Sequence, residues 1–161
     1  MSKQKIIKMV RFLFIIYCMA LFFILFLYGA RSGNQFHLSI FSKEHFEMTN
    51  FIPLKTIFGF FERVNQSTIN MSIVVINMCA NLLMFVPMGM SLLVLFEEKF
   101  NKLWKTVLFV AGMVLVIEVI QFLTFTGSAD IDDLILNTIS CTIGYGIIKI
   151  KFIRNILKLD E

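Results

Sequence analysis

Charged residues are scarce in this sequence, and apolar side chains dominate it. Only 16% of the 161 residues are charged, whereas 58% are hydrophobic and 19 are phenylalanines. A soluble domain of this length has too little interior to bury so much apolar surface. The composition therefore predicts an integral membrane protein that forms a single unit over residues 1–161.

Several signatures of catalysis, metal binding and nucleic-acid binding are missing. The sequence has no nucleophile elbow, Walker motif, HExxH motif or glycine-rich nucleotide loop. It also lacks a mixed basic and aromatic run, so its net charge of +4 indicates basic loops rather than affinity for nucleic acid. Cys18, Cys79 and Cys141 have no CxxC or CxxH spacing, which argues against a disulfide framework or a zinc site. We therefore expect no cofactor, no metal and no nucleic-acid partner.

Four apolar stretches approach or reach the roughly 20 residues that a membrane-spanning helix requires. None alternates with the two-residue period of a strand, so the predicted fold class is an all-α membrane protein with four transmembrane helices. The first stretch is too long for a cleaved signal peptide, and Tyr28 stands where a small residue is needed, which favours an uncleaved anchor helix. The predicted spans are about 12–30, 74–96, 104–125 and 134–152.

Basic residues mark one side of the predicted bundle. Eleven of the 15 lysines and arginines lie before the first span, in or next to the connection between the second and third, or at and after the end of the fourth. The positive-inside rule then places both termini in the cytoplasm of a multi-pass cell-membrane protein. It places the long loop 31–73 and the loop that carries the aspartates on the outer side.

The long outer loop contains a helical pattern. Within Phe51–Val64, apolar residues recur at i, i+3 and i+4, and Pro53 suits a first helical turn. This pattern predicts a short amphipathic helix that lies in the outer interface or re-enters the membrane and packs on the bundle. Both a structural lid and a substrate contact are compatible with it.

Polar side chains recur within the predicted spans, where a charged residue costs about 2.5–3.5 kcal/mol at the bilayer centre on insertion scales. They come in pairs spaced three or four residues apart, so the members of each pair share a helix face. Because adjacent helices run in opposite directions, all the pairs fall in the outer half of the membrane. This predicted outward pocket contains Asn77, Asn81, Glu118, Gln121, Asp133 and Asn137.

The polar residues also have structural interpretations. The asparagines suit hydrogen bonds between helices, and Asp130 or Asp132 suits the N-cap of the fourth helix. One cap does not require three aspartates, so we expect at least one of Asp132 and Asp133 to do something else. Glu118 is the strongest functional candidate, because carboxylates inside membrane spans are usually paired or functional.

Two residues of the second span indicate backbone geometry rather than chemistry. Pro87 in FVPMG favours a helix kink, and Gly89 favours close packing against another helix. We interpret both as structural.

The ordered set of polar segments resembles the VanZ-like family. The segments are NFIPLKTI (50–57), NLLMFVPMG (81–89), EVIQ (118–121) and DIDDLILNT (130–138), and the resemblance extends from the end of the first helix to Tyr145. Members are small polytopic membrane proteins of bacteria, and the founding member is associated with resistance to teicoplanin, a lipid-bearing glycopeptide. The resemblance implies the signature residues Asn50, Pro53, Asn81, Phe85, Pro87, Gly89, Glu118, Gln121, Asp130, Asp132, Asp133 and Asn137.

The sequence departs from the family pattern at two places. Many members have an arginine before the aspartates, where this chain reads TGSAD, and many have a glycine where this chain has Ser140. The first departure argues against an anion-binding loop. The second affects only helix packing.

Together, pattern and resemblance predict a non-enzymatic envelope protein. Its outward pocket would bind a membrane lipid, a cell-wall precursor or a lipoglycopeptide, and would lower susceptibility to teicoplanin. The alternative is a membrane-embedded enzyme acting on a lipid-linked envelope substrate, with Glu118 or Asp133 as acid–base group or metal ligand. Transport is less compatible, because the inner halves of the spans are nearly free of polar residues. The oligomeric state is left open.

Overall fold

The computed structural model describes residues 2–28, 49–124, 129–157 and 159. Within these residues there are helices and no β-strand, which confirms the predicted all-α class. The first part of the predicted outer loop and the turn at Gly127 lie outside the described residues. The helices are α1 (Lys3–Phe22, continued by a π-helical stretch Phe23–Tyr28), α2 (Lys55–Asn65), α3 (Met71–Met84), α4 (Val86–Leu95), α5 (Glu97–Phe100), α6 (Leu103–Thr124), α7 (Ile131–Lys149) and α8 (Lys151–Ile156).

Four helical segments are long and apolar enough to cross a membrane, as predicted. They are Lys3–Phe26, Met71–Leu95, Leu103–Thr124 and Ile131–Lys149. The first begins nine residues earlier than the apolar pattern indicated, because lysines can lie in a helix with their stems on the apolar surface and their charges in water. The fourth begins three residues earlier, because its first turn contains polar residues.

Among the described residues, α4 and α7 share the most extensive helix–helix interface. A Cβ atom on Gly89 would overlap the carbonyl oxygen of Cys141, and one on Gly144 would overlap the carbonyl oxygen of Val86. The two backbones therefore touch, as small residues allow in membrane helices. This confirms the close packing predicted at Gly89. The surrounding core draws on all four spans and contains Leu21, Phe85, Met88, Leu92, Val110, Val114 and Cys141.

The second span is interrupted at Phe85, where α3 ends and α4 begins. Pro87 has no N–H group to donate to the carbonyl four residues earlier, so the regular hydrogen-bond ladder stops there. Side chains of neighbouring helices form hydrogen bonds with the backbone groups at this interruption. The Phe85 N–H donates to Ser140 Oγ at 3.0 Å, and the Tyr17 hydroxyl donates to the Met84 carbonyl at 2.9 Å. The kink predicted at Pro87 is therefore a helix break supported by α1 and α7.

Both ends of the chain meet at one end of the bundle. Lys3 Nζ donates to the carbonyl of Leu159 at 3.2 Å, and Arg154 forms an ion pair with Glu97 at 3.2 Å. The N-terminus, the connection between α4 and α6, and the C-terminal segment thus lie together. We call this the basic end, because these segments contain most of the lysines and arginines.

The amphipathic helix predicted within Phe51–Val64 is present as α2 but is shorter than predicted. It starts at Lys55 rather than Phe51, so the prediction that Pro53 occupies its first turn was wrong. Leu54 has a left-handed conformation with φ of 66° and precedes the helix. No residue of α2 is buried, and Phe58 is 65% exposed, so much of its apolar face is uncovered.

Candidate functional site

Opposite the basic end, the segment before α2 is joined to the segment before α7. Asn50 and Asp130 form an isolated parallel β-bridge. The Asn50 N–H donates to the Ala129 carbonyl at 2.8 Å, and the Ile131 N–H donates to the Asn50 carbonyl at 2.9 Å. Two segments 80 residues apart are therefore held side by side by their backbones.

Side chains reinforce this bridge. Asn50 Nδ2 donates to Asp130 Oδ1 and to Thr56 Oγ1, both at 3.0 Å. The Thr56 hydroxyl donates to Asp130 Oδ2 at 2.6 Å, and the Asp132 N–H donates to Asp130 Oδ1 at 2.8 Å. The last contact is the N-cap of α7, as the sequence predicted for Asp130 or Asp132.

Asp132 caps a different helix. Its Oδ1 accepts from the Leu54 N–H, and its Oδ2 accepts from the N–H groups of Thr56 at 2.9 Å and Ile57 at 3.2 Å. These donors belong to the N-terminus of α2, which has no side-chain cap of its own. Asp132 is only 1% exposed and thus stabilises α2 from the first turn of α7. We refer to Asn50, Thr56, Asp130 and Asp132 as the clasp.

A second group of polar residues lies beneath the clasp. Asn81 Nδ2 donates to Asp133 Oδ1, which links α3 to α7. Glu118 Oε2 accepts from the Asp130 N–H at 3.1 Å, which links α6 to the start of α7. Glu118 is bonded to the residue that precedes α7, and Asp133 lies in the first turn of α7, so both carboxyl groups are held at the start of that helix. We refer to Asn81, Glu118, Asp133 and Asn137 as the polar cluster.

The polar cluster contains an unmatched hydrogen-bonding atom. Asn137 lies four residues after Asp133 and so shares its helix face. It is 5% exposed, and its Oδ1 is buried with no hydrogen-bond partner among the described residues. A buried polar atom without a partner costs about 1–3 kcal/mol, so it requires a specific explanation.

A small cleft of about 60 Å³ reaches Glu118, which is itself 7% exposed. Apart from Glu118 and Asp130 its walls are apolar. They are formed by Phe51, Leu115, Ala129, Ile131 and Leu134.

Two predicted pocket residues lie elsewhere. Gln121 shares a helix face with Glu118, yet its Nε2 donates to the Leu25 carbonyl at 2.9 Å. That carbonyl belongs to the π-helical stretch, where the widened turn changes the local hydrogen-bond pattern. Asn77 is exposed on the surface of α3, one turn from Asn81. We therefore place neither residue in the polar cluster.

Two residues important to this architecture, Thr56 and Gly144, were not singled out by the sequence pattern, and Ser140 was expected to affect only helix packing, whereas its hydroxyl accepts a hydrogen bond from the Phe85 N–H. Thr56 belongs to the clasp, Ser140 binds the break in the second span, and Gly144 forms half of the α4–α7 contact. Thr56 lies within NFIPLKTI, so the family resemblance offered a signal for it. The signal for Gly144 is its place in a membrane span, where glycine often marks close packing.

The described residues contain no group of three or more histidine, cysteine, aspartate or glutamate side chains arranged to hold a metal ion. The three cysteines are free. The polar cluster itself contains two carboxyl groups and two amides, which can form hydrogen bonds and carry negative charge.

Comparison with known proteins identifies the chain at the level of a family. No curated protein and no solved structure matches it significantly. The family model described as VanZ/LLP1 matches residues 14–153, which include part of the first span, the other three spans, the clasp and the polar cluster. This multi-pass membrane protein belongs to the VanZ/LLP1 family.

Proposed function

We propose that this protein binds the head group of a cell-envelope lipid or amphiphile in its polar cluster and does not transform it. The observation that carries the proposal is the buried, unpartnered Oδ1 of Asn137. Burial of such an atom in a membrane span is unfavourable unless something donates to it. A bound head group would supply that donor.

The location of the cluster supports a lipid ligand. It lies beneath the clasp, at the end of the bundle opposite the basic end. The positive-inside rule supports an outward orientation for this end, and in that orientation the cluster would lie near the head groups of the outer leaflet. The exposed apolar face of α2 lies at the same end and suits insertion into that interface.

The biological consequence that we propose is reduced susceptibility to lipoglycopeptides such as teicoplanin. Teicoplanin is itself an amphiphile, because it is a lipid-bearing glycopeptide, and the proposed orientation puts the polar cluster on the outer side. A protein that binds an envelope lipid or the drug's lipid-bearing part there would alter how much drug reaches its target.

The test is a susceptibility assay in a teicoplanin-sensitive bacterial host that expresses the full chain at equal membrane levels. The native protein is expected to raise the minimal inhibitory concentration. Glu118→Gln and Asp133→Asn are expected to abolish the increase. Asn81→Leu is also expected to lose it, because it removes the hydrogen bond to Asp133.

Asn77→Leu is the matched control. It makes the same chemical change on the same helix, one turn away, at an exposed position. It should therefore retain the native effect. If Glu118→Gln and Asp133→Asn both preserved teicoplanin susceptibility and lipid binding at native levels, the proposed function would be refuted.

The carboxyl groups of Glu118 and Asp133, which both lie at the start of α7, favour a second candidate, an enzyme acting on a lipid-linked envelope substrate. A pair of carboxyl groups at one site can act as general acid and general base. Mass spectrometry of envelope lipids incubated with the purified protein distinguishes the two functions. A time-dependent product that disappears in Glu118→Gln would support the enzyme, whereas unchanged lipid that co-purifies with the protein would support binding.

A further inference from the structure

We propose that the polar cluster selects a lipid whose head group is a primary ammonium. This inference rests on the proposed function, because it names the chemistry of the ligand bound at that site. It follows from a mismatch in the cluster. Its carboxyl groups have no cation among the described residues, and several of its hydrogen-bond acceptors have no donor among them.

The first part of the mismatch is charge. Glu118, Asp130, Asp132 and Asp133 lie together at one end of the bundle, and no described lysine or arginine forms an ion pair with any of them. Backbone and side-chain donors of the clasp satisfy Asp130 and Asp132. Glu118 and Asp133 remain as the two carboxyls for which the described residues supply no cation. A buried carboxylate is costly unless a cation or several donors compensate it.

The second part of the mismatch is hydrogen bonding. Glu118 accepts one hydrogen bond, at Oε2, and Asp133 accepts one, at Oδ1. No described residue donates to Glu118 Oε1 or Asp133 Oδ2. Asn137 Oδ1 is the third open acceptor, and it is buried on the same helix face as Asp133. The cluster therefore offers three open acceptors.

A primary ammonium matches this set. It carries one positive charge and three N–H donors, and it accepts no hydrogen bond. A hydroxyl offers one donor and no charge. A quaternary ammonium has the charge but no N–H donor, and a phosphate presented without a cation would be repelled by the two carboxyls. Among membrane lipids, phosphatidylethanolamine carries the matching group.

The experiment uses the full-length protein in detergent, with lipid binding measured by native mass spectrometry. Three lipids with identical acyl chains are compared: phosphatidylethanolamine, phosphatidylcholine and phosphatidylglycerol. We expect phosphatidylethanolamine to bind at least about tenfold more tightly than either of the others, a difference of about 1.4 kcal/mol. This comparison uses the native chain, so it does not depend on the folding of any variant.

Variants then locate the selectivity. Glu118→Gln and Asp133→Asn are expected to reduce the preference for phosphatidylethanolamine over phosphatidylcholine to less than about threefold, because each removes a charge and keeps the side-chain shape. The controls are Asn77→Leu, on the exposed face of α3, and Glu97→Gln, which neutralises a carboxyl at the basic end. Both should keep the native preference. Size-exclusion profiles and melting temperatures establish that each variant is folded.

The outcomes separate this inference from the proposed function. Equal binding of all three lipids, lost in Glu118→Gln, would overturn the ammonium inference and leave the proposed function standing. Preference for phosphatidylglycerol would also overturn the inference. Absence of binding by all three lipids would overturn the ammonium inference, and the susceptibility assay would then decide the proposed function separately. Displacement of phosphatidylethanolamine by soluble ethanolamine would support an ammonium site that does not require a lipid tail.

Discussion

The clasp predicts that Asp132 and Asp133, although adjacent, have separable roles. Asp132 accepts hydrogen bonds from three backbone N–H groups at the start of α2. Asp132→Ala removes all of these acceptors. Loss of a helix N-cap costs about 0.5–2 kcal/mol, and the upper part of that range applies here because the three bonds go to a buried carboxyl.

That energy should appear as local opening of α2. No residue of α2 is buried, so the helix can detach from the bundle without disrupting the four spans. A loss of one to two kcal/mol corresponds to amide hydrogen exchange that is about 5- to 30-fold faster over residues 54–65. Hydrogen–deuterium exchange in lipid nanodiscs measures this directly. Exchange within α6, in contrast, should be unchanged.

Asp133→Ala provides the matched control, since it removes the neighbouring carboxyl and its contact with Asn81 but leaves the α2 cap intact. Exchange over residues 54–65 should then stay at the native rate. The reasoning would be refuted if both substitutions accelerated exchange in α2 equally, or if Asp132→Ala left it unaltered.

Two further predictions concern the core of the bundle. Gly144→Ala should lower the free energy of unfolding by about 1–3 kcal/mol, because the added Cβ overpacks against the Val86 backbone. Gly146→Ala is the control, since its added Cβ has nothing within 4 Å, and it should be nearly neutral in the same thermal unfolding assay. Equal melting temperatures for the two variants would contradict the close α4–α7 contact. Ser140→Ala should cost about 1 kcal/mol, because the buried Phe85 N–H loses its hydrogen bond to the Ser140 hydroxyl. Thr142→Ala is its control, since the Thr142 hydroxyl only donates to the Thr138 carbonyl within α7, and an equal loss in both variants would argue against the role of Ser140 at the helix break.

The sequence was sufficient to predict the spans and the break in the second one. In the hydrocarbon region every backbone polar group requires an internal partner, so long apolar stretches must be helices. Pro87 predicted the break because a proline nitrogen carries no hydrogen to donate, and this is true in any surroundings. Asp130 was predictable as a cap because an N-cap is a local feature of the chain.

Contacts between distant segments were not predictable in this way. Asp132 caps a helix whose first N–H donors are 75 to 78 residues away, and no local pattern records that partner. Helix periodicity placed Asn77 and Asn81 on one face, yet only Asn81 bonds to Asp133. The spacing of residues fixes which side chains share a face, but not how far that face is rotated toward a neighbouring helix. The same reason explains why Gln121 contacts α1 rather than the polar cluster.

The clasp also has a consequence for the order of assembly during synthesis. Asn50 pairs with Ala129, Asp130 and Ile131, so its partners are made about 80 residues after it. Through that interval the start of α2 lacks its cap, and the first three spans enter the membrane without this connection. The contact forms only when the start of the fourth span has been synthesised, and it closes a loop that contains the second and third spans. Because contacts of such long sequence separation form late and slowly, closure of the clasp is expected to be among the last steps in folding.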